Sequence, residues 1–300
     1  MVIIMIEYSY LAIILLMKFV QKLLNKKTSV MIDGAAQYLG YGAYRYILSG
    51  LMALVLLLFA GDAGDFGLTA LGISALGSLA LAVSIYCSLE AMKSGAIILV
   101  SLASSAGLLL PCIFGIFMFD EPMSTWQFVG IGLLLISAYL LVGYSKKLTG
   151  SFTKKTVLLL LGGMLSNGLI MIAQKMFSKY LPDASVSVFS FLSFGLAGLT
   201  MLILLLPQLI NKEGREKFAS LPKAAWGYGA VLSVALLIIN QLATLAGRVI
   251  PSAIMFPIND GGGTIIAALT ASVCFGEKLT MRSVAGLALG IVSLIIINLC

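Results

Sequence analysis

The sequence predicts an all-α integral membrane protein whose ten transmembrane helices form two inverted five-helix repeats. Three observations support this prediction: an apolar composition, ten apolar runs long enough to cross a bilayer, and a motif that occurs twice at a fixed distance. The composition gives the class of protein, the runs give the number of helices, and the motif gives their arrangement.

The composition is that of a chain embedded in lipid. Of its 300 residues, 60% are hydrophobic and 10% are charged, whereas a soluble domain has about 25% charged residues. The net charge of +7 does not indicate a nucleic-acid partner, because Lys and Arg fall mostly in short connections between apolar runs. The chain has no histidine and its four cysteines have no motif spacing. We therefore expect no metal and no other cofactor.

Ten apolar runs predict the transmembrane helices. A hydrocarbon core about 30 Å thick requires about 20 residues per helix. The runs are 2–22, 37–60, 67–91, 95–119, 125–144, 155–177, 185–209, 225–247, 250–275 and 280–299. The first run lacks the basic segment of a signal peptide, so we interpret it as a retained helix. The prediction is a multi-pass protein of the cell (plasma) membrane.

A motif shared by the two halves of the chain predicts an internal repeat. The sequence FDEPMS around Glu121 resembles FGEKLT around Glu277, at a shift of 277 − 121 = 156 residues. The repeats are residues 1–147 and 154–299, and each contains five runs. Because five is odd, the second repeat lies upside down relative to the first, an arrangement that is common in transporters.

The shared motif is a Phe-x-Glu-x-x-Ser/Thr turn followed by a glycine. Its residues are Phe119, Glu121, Ser124 and Gly130 in the first half, and Phe275, Glu277, Thr280 and Gly286 in the second. With this motif, each half resembles the EamA repeat of the drug/metabolite transporter (DMT) superfamily. The resemblance covers the whole chain, and Arg45, Lys18 and Lys175 match basic positions common in that family. It implies a secondary transporter of small molecules.

The stretch from Ile250 to Thr280 predicts an interrupted helix at membrane depth. Pro251 and Pro257 each remove a backbone donor. Asn259, Asp260 and three glycines follow, and this segment is more polar than we expect of the ninth helix of the family. Broken backbone at this depth is tolerated where it lines a cavity, and broken helices often form the binding sites of transporters.

Asp260 is the main candidate for a functional residue. It could be a coupling carboxylate for protons or another cation, or the counter-charge for a cationic substrate, and burial of a lone carboxylate favours its neutral form. Alternatively, it could cap a half-helix that starts near Gly261. The shift of 156 residues relates Asp260 to Ser104, so only one half carries the carboxylate.

The other candidates are polar residues within the predicted helices. Arg45 could bind an anionic group or a carboxylate, or its side chain could extend to the interface. The remaining candidates for substrate or ion binding are Asn259, Tyr44, Tyr10, Asn167, Asn240, Gln241 and Ser104. Each could instead make hydrogen bonds between helices. We interpret Lys18 and Lys175 as interfacial residues, and Glu121 as a helix-start or gating residue.

The sequence shows no nucleophile with a base, no metal cluster and no Walker loop, so we expect neither an enzyme nor ATP-driven transport. The prediction is a secondary active transporter, monomeric in the lipid bilayer. It would export small metabolites or drugs by alternating access with proton coupling. The alternatives are facilitated uptake or exchange of a polar metabolite, and a membrane scaffold or lipid-handling protein that transports nothing.

The distribution of basic residues predicts the orientation of the chain. Lys and Arg lie mostly in the odd-numbered connections, which are therefore expected in the cytoplasm, with both termini outside. The resemblance implies cytoplasmic termini, since many EamA-type transporters have them. We follow the charges.

Overall fold

A computed structural model describes the backbone of residues 2–60, 66–93, 106–142, 154–275 and 280–299. Within these ranges the regular elements are helical and no strand occurs. The helices are α1 (Val2–Ser29), α2 (Ala35–Ala60), α3 (Leu68–Lys93), α4 (Leu109–Phe119), α5 (Thr125–Val142), α6 (Lys154–Tyr180), α7 (Val186–Ile210), α8 (Lys212–Ala219), α9 (Lys223–Val249), α10 (Ser252–Phe256), a π-helical turn (Pro257–Gly261), α11 (Gly262–Phe275) and α12 (Met281–Leu299).

The length and composition of the helices confirm a multi-pass helical membrane protein. Six helices are long and apolar enough to cross a membrane: Ala35–Phe59, Leu68–Cys87, Lys154–Tyr180, Val186–Ile210, Lys223–Val249 and Met281–Asn298. Two shorter apolar helices are Leu109–Phe119 and Thr125–Leu140. Large apolar side chains such as Phe59, Phe117 and Ile203 point outward, and a bilayer would cover such a surface.

The main helix contacts join the first part of the chain to the second. Helix α2 packs along α7, α3 along α6, α5 along α12, and α1 along α9. Helix α11 packs on α1, and α4 packs on α6 and α10. The core is therefore formed between segments that are far apart in sequence.

One end of the helix bundle, which we call the basic end, contains the ends of α1 and α3, the starts of α2, α6 and α12, and helix α8. The Gln37 side chain donates a hydrogen bond to the Lys217 carbonyl at 2.7 Å, which joins the start of α2 to α8. Lys155 pairs with Glu90 at 2.8 Å, which joins the start of α6 to the end of α3. The guanidinium of Arg282 lies 5.0 Å from the ring centre of Tyr139.

Helix α8 at the basic end was not predicted, because residues 211–223 are too polar for an apolar run. It is a surface helix with the ion pairs Lys217–Glu213 at 2.7 Å and Lys212–Glu216 at 3.8 Å, both spaced four residues apart. Such pairs support a short helix that buries little apolar surface.

The opposite end contains the ends of α4, α6 and α9 and the starts of α5 and α7. Glu121, between α4 and α5, pairs with Lys175 near the end of α6. Arg248 at the end of α9 donates to the carbonyl of Ala184, which precedes α7, at 2.6 Å. Helix α1 ends at the basic end, where its last turn carries Lys26 and Lys27, so both chain termini lie at the opposite end.

The first testable prediction concerns orientation. Because the basic end should face the cytoplasm, green fluorescent protein fused after the last residue in a bacterial host should not fluoresce, and alkaline phosphatase at the same place should be active. The same reporters fused after Ser220, at the end of α8, are the control and should give the opposite pattern. Fluorescence from the C-terminal fusion would overturn the predicted orientation.

Candidate functional site

The interrupted helix predicted around Pro251 and Pro257 is only partly interrupted. Helix α9 ends at Val249, and Ile250 and Pro251 are extended, with ψ of 128° and 148°. The chain then stays helical through α10 and α11, and Pro257 begins a π-helical turn in which the Gly262 N–H reaches the carbonyl of Pro257. The interruption therefore consists of the extended pair Ile250 and Pro251 and of a π turn, after which an α-helix starts again at Gly262. A π turn is a wider helical turn that occurs frequently at functional sites.

Asp260 lies in this π turn and binds two other helices. One carboxylate oxygen forms an ion pair with the Lys18 ammonium of α1. The other oxygen accepts a hydrogen bond from the Asn167 amide of α6 at 2.7 Å. The backbone carbonyl of Asp260 accepts a bond from the Thr264 hydroxyl at 3.0 Å. We call these four residues the Asp260 site.

Two glycines allow α1 to approach the π turn closely enough for this pairing. A Cβ atom on Gly263 would lie 2.9 Å from the Cδ of Lys18, and one on Gly262 would lie 2.9 Å from a methyl carbon of Leu15. Both distances are too short for an ordinary contact. Glycine at these positions therefore permits the helix contact on which the Lys18–Asp260 pair depends.

The structure corrects three interpretations of Asp260 and Lys18. Asp260 does not cap a half-helix, because its carboxylate binds Lys18 and Asn167 and α11 follows the π turn without a side-chain cap among the described contacts. It is also not a lone carboxylate. Lys18 is not interfacial, since its side chain is 13% exposed and pairs inside the bundle.

Arg45 faces α1 rather than the membrane interface. It is 8% exposed, its Nη1 donates to the Asn25 side chain at 3.4 Å, and its guanidinium lies 5.6 Å from the ring centre of Tyr41. The interpretation in which Arg45 extends to the interface is therefore wrong. Lys18, Lys22 and Asn25 follow one another at four and three residues along α1, and so lie on one face of that helix.

Among the other predicted site residues, Asn167 belongs to the Asp260 site, whereas Asn240 and Gln241 join α9 to α7. Asn240 accepts a hydrogen bond from Ser190 at 2.9 Å, and Gln241 donates one to Ser187 at 3.0 Å. These contacts favour the alternative in which the two amides hold helices together.

The aromatic candidates pack against apolar groups. Tyr44 meets the ring of Trp226 edge-on at 4.9 Å, and Tyr10 lies beside an apolar cluster that includes Phe256. Asn259 is buried, and its side-chain oxygen has no hydrogen-bond partner among the described residues. Ser104 lies outside the described residues.

A second polar cluster, which we call the Glu121 lock, holds the start of α10. One Glu121 oxygen pairs with Lys175 at 2.7 Å and with Lys179 at 3.5 Å. The other accepts the backbone N–H of Ser252 at 2.8 Å, and Lys175 also donates to the carbonyl of Ile250 at 2.9 Å. Glu121 thus serves a helix start, as predicted, but the helix is α10 rather than the one that follows it in sequence.

Lys175 is 1% exposed, so its interfacial interpretation is wrong. The signal that could have revealed both lysines was their recurrence at 175 − 18 = 157 residues, close to the shift of the repeated motif. A lysine retained at the same place in both halves is better explained by a specific partner than by the interface.

The lock keeps Glu121 ionised. Burial alone favours the neutral acid, but hydrogen bonds from Lys175 and from the Ser252 N–H outweigh it and hold the pKa of Glu121 below its ordinary value. The Glu121 carboxylate is therefore ionised at neutral pH.

These features define the class, a multi-pass helical membrane protein with ion pairs buried between its helices. No family model and no curated protein matches the sequence. A crystal structure described only as that of a protein superposes with a TM-score of 0.73 over 97% of this chain and 98% of that chain. The two chains are 14% identical, so the likeness concerns the fold alone.

The second prediction tests the Lys18–Asp260 pair. Lys18→Met leaves a buried carboxylate without its counter-charge, and loss of one partner of a buried pair costs about 3–5 kcal/mol. We expect a large fall in the thermal unfolding midpoint of the protein in detergent. The double variant Lys18→Met/Asp260→Asn should recover part of this loss, because neither charge remains unpaired.

Lys27→Met is the matched control, since Lys27 lies on the same helix and is exposed. It should leave the midpoint nearly unchanged. The buried pair contributes nothing to stability if Lys18→Met is as stable as this control.

The third prediction concerns acid stability. Because the folded-state pKa of Glu121 is lowered, its stabilising effect is present above the ordinary carboxyl pKa and is lost as pH falls through the folded value. Glu121→Gln should therefore lower the unfolding midpoint at neutral pH, and its difference from wild type should shrink as the solution is acidified.

Glu213→Gln is the control, because it removes an ion pair on the exposed helix α8. Its effect should be small at every pH. A constant difference between wild type and Glu121→Gln across the titration would contradict the role of the charged lock.

Proposed function

We propose that this chain is a secondary active transporter that works by alternating access, with ten spans in two inverted repeats, residues 1–147 and 154–299. This assignment follows the resemblance to the EamA family of the drug/metabolite transporter superfamily. Under this assignment, the chain is a monomer in the lipid bilayer and has no enzymatic activity. It exports small metabolites or drugs, and this export is coupled to proton movement.

The pattern of helix contacts supports the repeat. In this proposal, α1 to α5 are spans one to five. Spans six to ten are α6, α7, α9, α10–α11 and α12. A shift of five spans then converts the contact of α1 with α9 into the contact of α6 with α3. The same shift exchanges the contact of α1 with α11 for that of α6 with α4. The pairs α2–α7 and α5–α12 map onto themselves.

The observation that carries the proposal is that each half contributes a lysine that pairs with a carboxylate of the other half. Lys18 of the first repeat binds Asp260 of the second, and Lys175 of the second repeat binds Glu121 of the first. Alternating access requires contacts between two halves that form and separate on opposite sides of a central site. Ion pairs such as Lys18–Asp260 and Lys175–Glu121 suit this role, because binding or loss of one proton changes the attraction between the two side chains.

In the proposed cycle, the Glu121 lock closes the opposite end while the Asp260 site is reached from the basic end. A proton that binds Asp260 removes its negative charge and with it the attraction for Lys18. Helix α1 can then move relative to the π turn, and separation of Glu121 from Lys175 opens the opposite end. Asp260 thereby couples a proton to the change of access.

The fourth prediction tests the coupling role. Purified protein is reconstituted into vesicles that contain a pH-sensitive dye, and a panel of metabolites and drugs is added to find a solute that drives proton movement. Asp260→Asn keeps the shape of the side chain but cannot bind a proton. We expect it to lose solute-driven proton movement and to retain exchange of labelled solute for unlabelled solute.

Asp33→Asn is the control, since Asp33 is an exposed carboxylate in the connection after α1. It should behave as wild type. Equal proton movement in Asp260→Asn and wild type would remove the coupling role. Solute flux whose rate does not depend on the proton gradient would indicate a facilitator. The absence of flux for every solute would indicate a scaffold.

A further inference from the structure

The face of α1 next to the Asp260 site carries more positive charge than the described carboxylates balance. Lys18 and Lys22 are one turn apart on this face, and Asn25 follows with the Arg45 guanidinium against it. Asp260 neutralises Lys18. Lys22 and Arg45 form no ion pair with any described carboxylate.

Arg45 is almost completely buried, yet its donors are poorly satisfied. Its Nε–H is buried and has no acceptor among the described residues, and the Nη1 bond to Asn25 is long at 3.4 Å. Lys22 is half-buried and makes no ion pair or hydrogen bond with any described residue. A buried donor without an acceptor costs about 1–3 kcal/mol, and more when it is charged.

Five of the carboxylates of the chain are paired with lysines. The sequence has 12 Asp and Glu residues. Those with lysine partners are Glu90, Glu121, Glu213, Glu216 and Asp260. Asp33, in the connection beside α1 and α2, is exposed. Of the internal segments outside the described residues, 94–105 and 143–153 contain no Asp or Glu, whereas 61–65 and 276–279 contain Asp62, Asp65 and Glu277.

We propose that Lys22 and Arg45, with the Asn25 amide, bind the carboxylate or phosphate group of the solute that the protein carries. The planar guanidinium of Arg45 can donate two parallel hydrogen bonds to such a group, and Lys22 adds a compact positive charge. Partial burial strengthens both interactions. This assignment rests on the proposed transport function and narrows it to small organic anions.

The site lies close to the coupling residue. Four residues separate Lys22 from Lys18, a rise of about 6 Å along α1. A bound anion therefore lies beside the Lys18–Asp260 pair, on the side of the basic end. A solute that enters from this end meets Lys22 before it reaches Asp260.

The experiment measures binding rather than transport, so it needs no vesicle. The full chain in a neutral detergent is titrated with sodium phosphate and with sodium succinate, against sodium chloride at equal ionic strength, and the thermal unfolding midpoint is followed. We expect a saturable rise with phosphate or succinate. Tetraethylammonium chloride, a cationic probe, should give none.

Two variants test the residues. Lys22→Gln and Arg45→Gln should each weaken the apparent affinity at least tenfold. Lys27→Gln removes the same charge from an exposed position on the same helix and should leave the affinity unchanged. Arg45 is buried, so its variant is first checked by gel filtration, and Lys22→Gln decides the result if Arg45→Gln does not fold.

The outcomes separate this proposal from the transport proposal. Anion binding that needs Lys22, in a protein that moves no solute, supports the site and refutes transport. Flux of cations or neutral solutes without anion binding supports transport and refutes the anion site. The proposal is overturned if neither anion binds, if binding is the same in Lys22→Gln and Lys27→Gln, or if only an anionic lipid such as phosphatidylglycerol binds.

Discussion

The ion pair between Lys18 and Asp260 constrains the centre of this protein more than any single apolar contact. A carboxylate inside a membrane protein is stable only where a counter-charge and hydrogen-bond donors reach it. Lys18 and Asn167 provide these from α1 and α6. The pair therefore fixes the position of both helices relative to the π turn. A Cβ atom on either adjacent glycine would press on the Leu15 or Lys18 side chain, which would have to shift.

At one end of the bundle, the Glu121 lock likewise provides a buried carboxylate with a counter-charge and a hydrogen-bond donor. Its carboxylate accepts a backbone N–H at the start of α10 as well as the charge of Lys175. The lysine in turn donates to the carbonyl of Ile250, so the extended residues between α9 and α10 are held from both sides. The Glu121 lock thus holds the start of α10, and the Lys18–Asp260 pair holds the π turn between α10 and α11.

The sequence was sufficient to predict a helical membrane protein and the unusual polarity of residues 250–275, because both follow from composition and from residues that disfavour lipid. It was not sufficient to predict the π turn. Proline and glycine indicate an irregular helix, but the hydrogen-bond register that replaces the ideal one depends on packing against α1 and α5. The partners of Asp260 and Glu121 were likewise missed, since each is a tertiary contact from a distant helix. Lys18 and Lys175 seemed interfacial only because lysine usually is.

The π turn has a mechanical consequence. It holds one residue more than an α-helical turn, and Asp260 within it is held in the present register by Lys18 and Asn167. If the wide turn moved by one residue along the helix, Asp260 would rotate by about 100° around the helix axis. Its carboxylate would then point away from Lys18 while α10 and α11 stayed helical. Such a shift would reorient one charge without unfolding a helix.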